Sequence, residues 1–121
     1  KIIQFSSGAA FVPQAAFAVY AATKSYVYSF GRALSKELQG MGITVTAVCS
    51  GPVNTPFLQH AYGDLSHIRG IKKVTMAKTE CVVAKAIADC KMGKSVSVCG
   101  LPMKALYVVT QSVQNVMQIF M

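Results

Sequence analysis

The residues best suited to chemistry in this chain are a tyrosine and a lysine four positions apart, Tyr20 and Lys24. Because positions i and i+4 of a helix lie on the same face, the phenol and the ammonium come within reach of each other. A free phenol, with a pKa of about 10, exchanges protons poorly at neutral pH, but an adjacent ammonium stabilises its phenolate form. Ser7 lies 13 residues before Tyr20, close enough for the intervening loop to return its hydroxyl to the phenol. These three residues predict a proton-transfer site.

The tyrosine and lysine spacing also has an explanation without chemistry. The two residue types meet by chance on many amphipathic helices, where the tyrosine is half-buried packing and the lysine is solvated. The elements around the pair therefore decide between the two interpretations.

Three short runs rich in apolar or β-branched residues predict strands at residues 2–5, 43–48 and 95–99. The first run stops at Ser6-Ser7-Gly8 and the second at Ser50-Gly51-Pro52, and both sequences are typical of turns. Each of these turns therefore follows directly on a strand.

Helices are predicted between and after the strands. Apolar residues at three- and four-residue intervals predict a helix over residues 19–38, which two glycines end. Thr79 as N-cap begins a second helix that ends at Gly93, and residues 54–78 before it form a loop with a short helical piece. From Met103 onward we expect an amphipathic helix that needs an apolar cover. Its apolar face holds Leu106, Val109, Val113, Val116, Met117 and Phe120.

Strands that alternate with helices predict parallel strands joined by right-handed crossovers, and so an α/β fold. In open sheets of this kind, ligands bind beyond the carboxyl ends of the strands. The turns Ser6-Ser7-Gly8 and Ser50-Gly51-Pro52 lie at that rim, so we expect the site there.

Three motifs, taken together, resemble a known family. Ser6-Ser7-Gly8-Ala9-Ala10, Tyr20-Ala21-Ala22-Thr23-Lys24 and Gly51-Pro52-Val53-Asn54-Thr55 are similar in order and spacing to the second half of short-chain dehydrogenases/reductases. The resemblance implies a Rossmann-like doubly wound parallel sheet, of which this chain holds the three C-terminal strands with their helices. Residues 1–121 would then be the carboxyl-terminal part of a single domain, with residues 1–100 as the core that carries the catalytic motif and 101–121 as a C-terminal amphipathic helix.

The resemblance also implies a function, an NAD- or NADP-dependent oxidoreductase that interconverts a carbonyl and a secondary alcohol by hydride transfer. Tyr20 would be the general acid and base, Lys24 would stabilise its phenolate and hold the nicotinamide ribose, and Ser7 would orient the substrate oxygen. Ser6 is left as a structural residue. Besides Tyr20 and Lys24, the residues implied to shape the cofactor site are Gly51, Pro52, Val53 and Thr55.

The chain departs from the family pattern in two ways. It has Ser50-Gly51-Pro52 where the family usually has Pro-Gly, so the turn is altered but its glycine survives. The glycine-rich turn for the cofactor pyrophosphate, the residue that chooses NAD or NADP and the active-site asparagine belong to an amino-terminal half that these residues do not include. We therefore expect this fragment alone to be inactive.

Predictions about substrate and assembly also follow from the resemblance. Residues 53–68 correspond to the substrate-binding flap, so Phe57 and Leu58, with Val12 opposite, would line a pocket for an apolar carbonyl or alcohol such as a lipid or steroid. These side chains could equally close the core. The Tyr20–Leu38 helix would pair subunits of a homodimer or homotetramer. The small residues that it offers for close approach are Ala21, Ser25 and Ser29.

The composition limits the classes of function. The 121 residues carry a net charge of +8 and are 53% hydrophobic, which suits one folded domain. The basic residues are spread along the chain without interleaved aromatics, so we expect no nucleic-acid binding.

The four cysteines have neither CxxC pairs nor histidines at ligand spacing, which predicts reduced thiols and no metal site. No apolar run approaches the roughly 20 residues that span a bilayer, which favours a soluble protein without membrane association. Reduced thiols in a sequence without a secretory signal favour the cytoplasm.

A second hypothesis assigns the chain no catalysis. An open three-stranded piece exposes a sheet edge that invites pairing with another chain, as in a fragment that acts as a binding or assembly partner. The basic, apolar tail helix could likewise lie on a neighbouring subunit or a membrane surface instead of packing within the chain.

Overall fold

The computed structural model describes residues 1–12, 15–53, 55–57, 60 and 76–119, with the side chains of this set up to residue 113. In that part of the chain, three strands alternate with three helices. They are β1 (Ile2–Phe5), α1 (Ala18–Leu38), β2 (Val45–Val48), α2 (Thr79–Lys91), β3 (Val96–Ser97) and α3 (Leu101–Ile119). Short 3-10 segments follow β1 and α1, at Gly8–Ala10 and Gln39–Met41.

The three strands form one parallel sheet in the order β1-β2-β3. This confirms the predicted α/β fold, a partial Rossmann-like sheet. The second and third strands are shorter than predicted, because β1 begins at Ile2 and its first partner on β2 is Val45, and because β3 pairs with β2 only at Val96 and Ser97. All four residues of β2 are buried, whereas Phe5 at the end of β1 is 55% exposed.

The buried residues of helix α1 are Ala21, Tyr28 and Gly31. Gly31 comes so close to β2 that a Cβ placed on it would stand 3.4 Å from the Cβ of Ala47. Larger apolar residues lie on the opposite face, where Val19 is 79% exposed and Phe30 is 44% exposed. The helix itself is confirmed, but its apolar stripe is not the face that meets the sheet.

Two residues offered for subunit pairing on this helix contact their own chain. Ala21 is buried, and the Ser25 hydroxyl donates to the carbonyl of Ala10 at 3.1 Å. Ser29 is exposed. Pairing of subunits through the Tyr20–Leu38 helix stays a prediction.

Helix α2 covers the other side of β2 and β3 with Val82 and Ala86. Its predicted start was wrong by one position: Thr79 is the first helical residue, and the preceding Lys78 makes no side-chain hydrogen bond to the helix end. Lys78, whose backbone is extended, occupies the N-cap position, because Thr79 already has helical geometry.

A buried carboxylate ties the end of α2 to β3. Asp89 is 1% exposed and accepts hydrogen bonds from the ammonium groups of Lys85 and Lys94 and, at 2.8 Å, from the Ser97 hydroxyl. Burial on its own would raise the pKa of Asp89, but these three donors outweigh it and hold the pKa below its usual range.

Helix α3 returns to the sheet side that α1 covers. Its Tyr107 packs against Phe11 at a ring distance of 5.4 Å, and Phe11 meets Tyr28 edge to face at 5.3 Å. A guanidinium nitrogen of Arg32 donates to Gln111 at 2.9 Å. Burial and, to a smaller extent, the nearby Tyr107 raise the pKa of Tyr28 to about 12.

The outward face of α3 is apolar and open to solvent, with Leu101 at 81%, Val109 at 60% and Val113 at 55% exposure. Among the residues that the structure describes, no helix combines the length and hydropathy needed to cross a bilayer. Within that same portion, no group of three His, Cys, Asp or Glu side chains is placed to hold a metal ion.

Candidate active site

The two turns predicted to carry chemistry lie side by side at the carboxyl edge of the sheet. The parallel register continues past the strands, because Ser6 donates its backbone N–H to the Val48 carbonyl at 2.9 Å and Gly8 donates to the Ser50 carbonyl at 2.7 Å. The first turn is therefore bonded directly to the second. This is the rim at which open parallel sheets bind ligands.

A cavity of about 530 Å³ opens at this rim. It brings together nine of the predicted site residues: Ser7, Val12, Tyr20, Lys24, Gly51, Pro52, Val53, Thr55 and Phe57. The tenth, Leu58, lies outside the described residues, as does Asn54 of the third motif. Three segments far apart in sequence thus meet at one site.

Ser7 is held by the turn that follows it. Its backbone is extended, and its hydroxyl oxygen accepts the N–H of Ala9 at 3.1 Å, which caps the 3-10 segment Gly8–Ala10. Because a hydroxyl has one proton and two acceptor positions, this bond leaves the Ser7 proton available to a substrate oxygen.

Lys24 is fixed at both its backbone and its side chain. Its ammonium donates to the carbonyl of Phe5 at 3.0 Å, and its own carbonyl accepts from the Ser6 hydroxyl at 2.7 Å. The ammonium lies 5.7 Å from the centre of the Tyr20 ring, so the two side chains share a helix face as the spacing predicts.

Tyr20 lies among aromatic rings at the start of α1. Phe17 meets it edge to face at 6.2 Å, and Phe57 stacks on it at 5.5 Å with an angle of 29° between the rings. Phe57 therefore contacts the tyrosine itself, besides lining the cavity.

The segment after β2 is held by a backbone bridge to a later part of the chain and by a hydrogen bond within itself. Val53 forms a parallel bridge with Ala77, whose N–H donates to the Pro52 carbonyl at 2.9 Å. The Thr55 hydroxyl donates back to the Val53 carbonyl at 3.4 Å. These bonds hold the residues implied to meet the nicotinamide against the rim of the cavity.

Sequence reasoning missed the walls that later helices provide. Val82 and Val83 of α2 and Met103 and Leu106 of α3 line the same cavity. The amphipathic pattern of α3 could have pointed to these walls. It showed that the helix needs an apolar partner, but not where that partner lies.

The thiol beside the second turn is inert. Cys49 is fully buried, and burial raises its pKa to about 11, against a weaker lowering effect of a hydrogen bond with Ser6. A thiol that keeps its proton at neutral pH is a poor nucleophile. The chemistry of the site therefore rests on the hydroxyl groups and the lysine.

Comparison with known proteins places the chain in a family. The short chain dehydrogenase family model matches residues 1–65, which is more than half of the chain. The chain therefore belongs to the short chain dehydrogenases, as its three motifs predicted.

Individual relatives agree with this assignment. The chain is 29% identical over 86 residues to 17-beta-hydroxysteroid dehydrogenase type 3 of Mus musculus, covering 66% of this chain and 28% of that protein. It is 41% identical over 58 residues to the uncharacterized oxidoreductase YjdA of Bacillus subtilis, covering 48% of this chain and 23% of that protein. It is 40% identical over 58 residues to 1-deoxy-11-beta-hydroxypentalenate dehydrogenase of Streptomyces exfoliatus, covering 48% of this chain and 21% of that protein. The chain spans between 21% and 28% of the length of these three proteins.

A solved structure shares the fold. A short-chain dehydrogenase from Sphingobium yanoikuyae, in complex with NADPH, superposes with a TM-score of 0.79 at 21% identity. The match covers 99% of this chain and 45% of that one. The arrangement of three strands and three helices is thus the arrangement of part of a short-chain dehydrogenase.

Proposed function

We propose that this chain supplies the proton-transfer half of an NAD- or NADP-dependent oxidoreductase that interconverts a carbonyl and a secondary alcohol. The observation that carries the proposal is the meeting of Ser7, Tyr20 and Lys24 at one cavity beside the turn Gly51-Pro52-Val53. Membership of the short chain dehydrogenases supports the reaction class. Among the residues that the structure describes, no comparable cluster supports the alternative of a non-catalytic binding or assembly partner.

The residues of the cavity fit a nicotinamide nucleotide. The Lys24 ammonium has three protons, and the bond to the Phe5 carbonyl uses one, so donors remain for ribose hydroxyls. The hydroxyl of Thr55 and the backbone around Val53 offer partners for the carboxamide. When bound, the nicotinamide would supply or accept the hydride. The NADPH in the Sphingobium yanoikuyae structure supports the same cofactor class here.

The chain's own residues would manage the proton. In the reducing direction, the Tyr20 hydroxyl gives its proton to the carbonyl oxygen, and in the oxidising direction the phenolate takes the proton of the alcohol. The nearby Lys24 ammonium stabilises the phenolate. Ser7, whose oxygen is occupied by the Ala9 N–H, donates its proton to the same substrate oxygen and orients it.

The lining favours an apolar substrate. Around the polar cluster the cavity walls are formed by Val12, Phe57, Val82, Met103 and Leu106. Such walls exclude water and match a hydrophobic carbonyl or alcohol. Two of the relatives are named for a hydroxysteroid and a hydroxypentalenate, which supports a substrate of this class.

The test is a tyrosine substitution in the protein at its full natural length. Tyr20→Phe removes the proton but keeps the ring, so we expect kcat/KM with apolar ketones to fall by about 10²–10⁴-fold. NADPH affinity, measured by fluorescence, should stay within about threefold, whereas Lys24→Ala should damage both binding and turnover. Tyr26→Phe is the matched control, because Tyr26 is on the same helix and 68% exposed. Full activity of Tyr20→Phe would refute the proposal.

A further inference from the structure

The ring of Tyr20 has little of its own helix to rest on. Tyr20 is the third residue of α1, so the helical turn that a side chain normally packs back on is missing beneath it. Besides Lys24, whose ammonium lies 5.7 Å from the ring centre, the side chains that orient the ring therefore come from outside the helix. Phe17, the residue before the helix, lies nearly perpendicular to this ring, with 6.2 Å between the ring centres.

The face of the Tyr20 ring is covered by Phe57. The ring centres are 5.5 Å apart and the rings are inclined by 29°, a stacked arrangement within the range of attractive aromatic pairs. Phe57 comes from the segment after β2, 37 residues further along the chain. The contact thus joins the predicted proton donor to the segment that follows the cofactor turn.

Phe57 stands on an anchored segment. The bridge from Val53 to Ala77 fixes the segment before it, and the carbonyl of Pro56 is bonded to the His60 ring at 2.8 Å. Phe57 is nevertheless 51% exposed, so burial in the core does not explain its placement. The ring contact described for it is the one with Tyr20.

We propose that Phe57 is a positioning residue for Tyr20, which fixes the direction of the phenol by stacking on its face. The inference rests on the function proposed above. It differs from a role of Phe57 as a substrate wall, because a wall acts on the KM of the substrate, whereas a residue that orients the proton donor acts on kcat.

The first experiment compares kinetic constants in the full-length protein. Phe57→Leu keeps an apolar side chain but removes the ring face, and we expect kcat to fall about three- to tenfold with cofactor affinity unchanged within twofold. Phe57→Tyr restores the ring and should return kcat to within about twofold of the wild type. A raised substrate KM with unchanged kcat would overturn the proposal in favour of a pocket wall.

The second experiment needs no activity. With ¹³C-labelled tyrosine, the tyrosine ring signals of the full-length protein can be followed by NMR, and Tyr20→Phe identifies the one from Tyr20. Phe57→Leu removes a ring current from that signal and should move it while leaving Tyr26 in place. Phe30→Leu is the matched control, because Phe30 stacks on Tyr26 at 5.8 Å on the exposed face of α1 and should move only the Tyr26 signal.

The two experiments separate this inference from the proposed function. If Tyr20→Phe stays active, the proposed function fails, and the positioning role fails with it even where the NMR shift shows the stack. If Tyr20→Phe is inactive but Phe57→Leu leaves the Tyr20 signal unmoved, the positioning role alone is overturned. A moved signal together with reduced kcat in Phe57→Leu supports both.

Discussion

The hydroxyl of Ser6 donates a hydrogen bond of 2.7 Å to the backbone carbonyl of Lys24, across 18 residues of chain. The Lys24 ammonium returns to the carbonyl of Phe5, the residue beside Ser6, at 3.0 Å. Ser6 is only 6% exposed. The two bonds fasten the end of β1 to the second turn of α1, so the residue that the sequence marked as structural determines where the lysine of the site stands.

Ser6→Ala should therefore destabilise the protein. It removes a buried hydroxyl and its bond to Lys24, and we expect the free energy of unfolding to fall by about 0.5–1.5 kcal/mol in urea denaturation. Ser29→Ala provides the control, because Ser29 is exposed on the same helix and its loss should change stability by less than about 0.5 kcal/mol. Equal stability of both variants would show that the Ser6 bond does not hold α1 to the sheet.

The cluster at Asp89 predicts a loss of stability in acid. The pKa of Asp89 is lower in the folded protein than in the unfolded chain, where it is about 3.9. Its contribution is therefore complete above about pH 4 and is lost as the pH falls through the folded pKa. Asp89→Asn weakens the bonds from Lys85 and Lys94 and should lower the unfolding free energy at pH 7 by about 2–3 kcal/mol.

The measurement for Asp89 is the unfolding free energy of wild type and variant from pH 7 down to pH 2. We expect the two curves to converge in acid. Protonation of Asp89 then removes from the wild type the carboxylate interactions that the Asn variant lacks at every pH. Glu80→Gln is a suitable control, since Glu80 is an exposed acidic residue of the same helix. Curves that stay parallel would mean that Asp89 has the same pKa in both states.

Local patterns predicted the order of elements well, because the spacing of apolar residues depends on neighbours in the chain. Helix α1 was expected at residues 19–38 and is found at Ala18–Leu38. The buried face was not predictable in the same way. Gly31 faces the sheet, where an added Cβ would stand 3.4 Å from that of Ala47, and Val19 faces solvent, although neither position is distinguished by its spacing in the sequence.

The site shows the same division between local and distant information. The motifs around Ser7, Tyr20 and Lys24 could be recognised from types and spacing, and the structure brings them to one cavity. The contacts of Ser6 and Phe57 join segments 18 and 37 residues apart, and no local pattern records which side chains meet across such distances.

The raised pKa of the buried Tyr28 phenol leads us to expect that the protein loses stability in alkali. Burial, with a further contribution from Tyr107, raises the pKa of Tyr28 to about 12, and only the Arg32 guanidinium works against this. An unfolded tyrosine ionises near pH 10, so the folded protein keeps a proton that the unfolded chain has lost, and stability falls as the pH rises from about 10 to 12. In Tyr28→Phe this decline should be smaller by up to about 2 kcal/mol.

The unfolding free energy at pH 8 and pH 11 checks the Tyr28 prediction. At pH 8 the variant should be slightly less stable, because Arg32 loses its 3.2 Å bond to the hydroxyl. Cys49, with a pKa raised to about 11, acts in the same direction, so part of the alkaline decline should remain in Tyr28→Phe. An identical decline in the two proteins would rule out Tyr28 as a source.

Gly8 couples the turn that holds Ser7 to α3. A Cβ on Gly8 would overlap the terminal methyl of Met103 and stand 3.2 Å from the carbonyl oxygen of Ser50. Met103 is 8% exposed, so its methyl has little room to retreat, although a methionine chain adapts better than most. We expect Gly8→Ala to lower the unfolding free energy by about 1–3 kcal/mol through overpacking.

A double-mutant cycle tests whether Met103 is the cause. Met103→Ala alone leaves a cavity and should cost about 2–5 kcal/mol, but in the double variant the new methyl of residue 8 partly fills that space. The two effects should therefore fall short of additivity by about 1 kcal/mol or more. Gly40→Ala is the control, because nothing lies within 4 Å of its added Cβ, and it should be neutral or slightly stabilising. Strict additivity would mean that Met103 of α3 does not limit the space at the turn that holds Ser7.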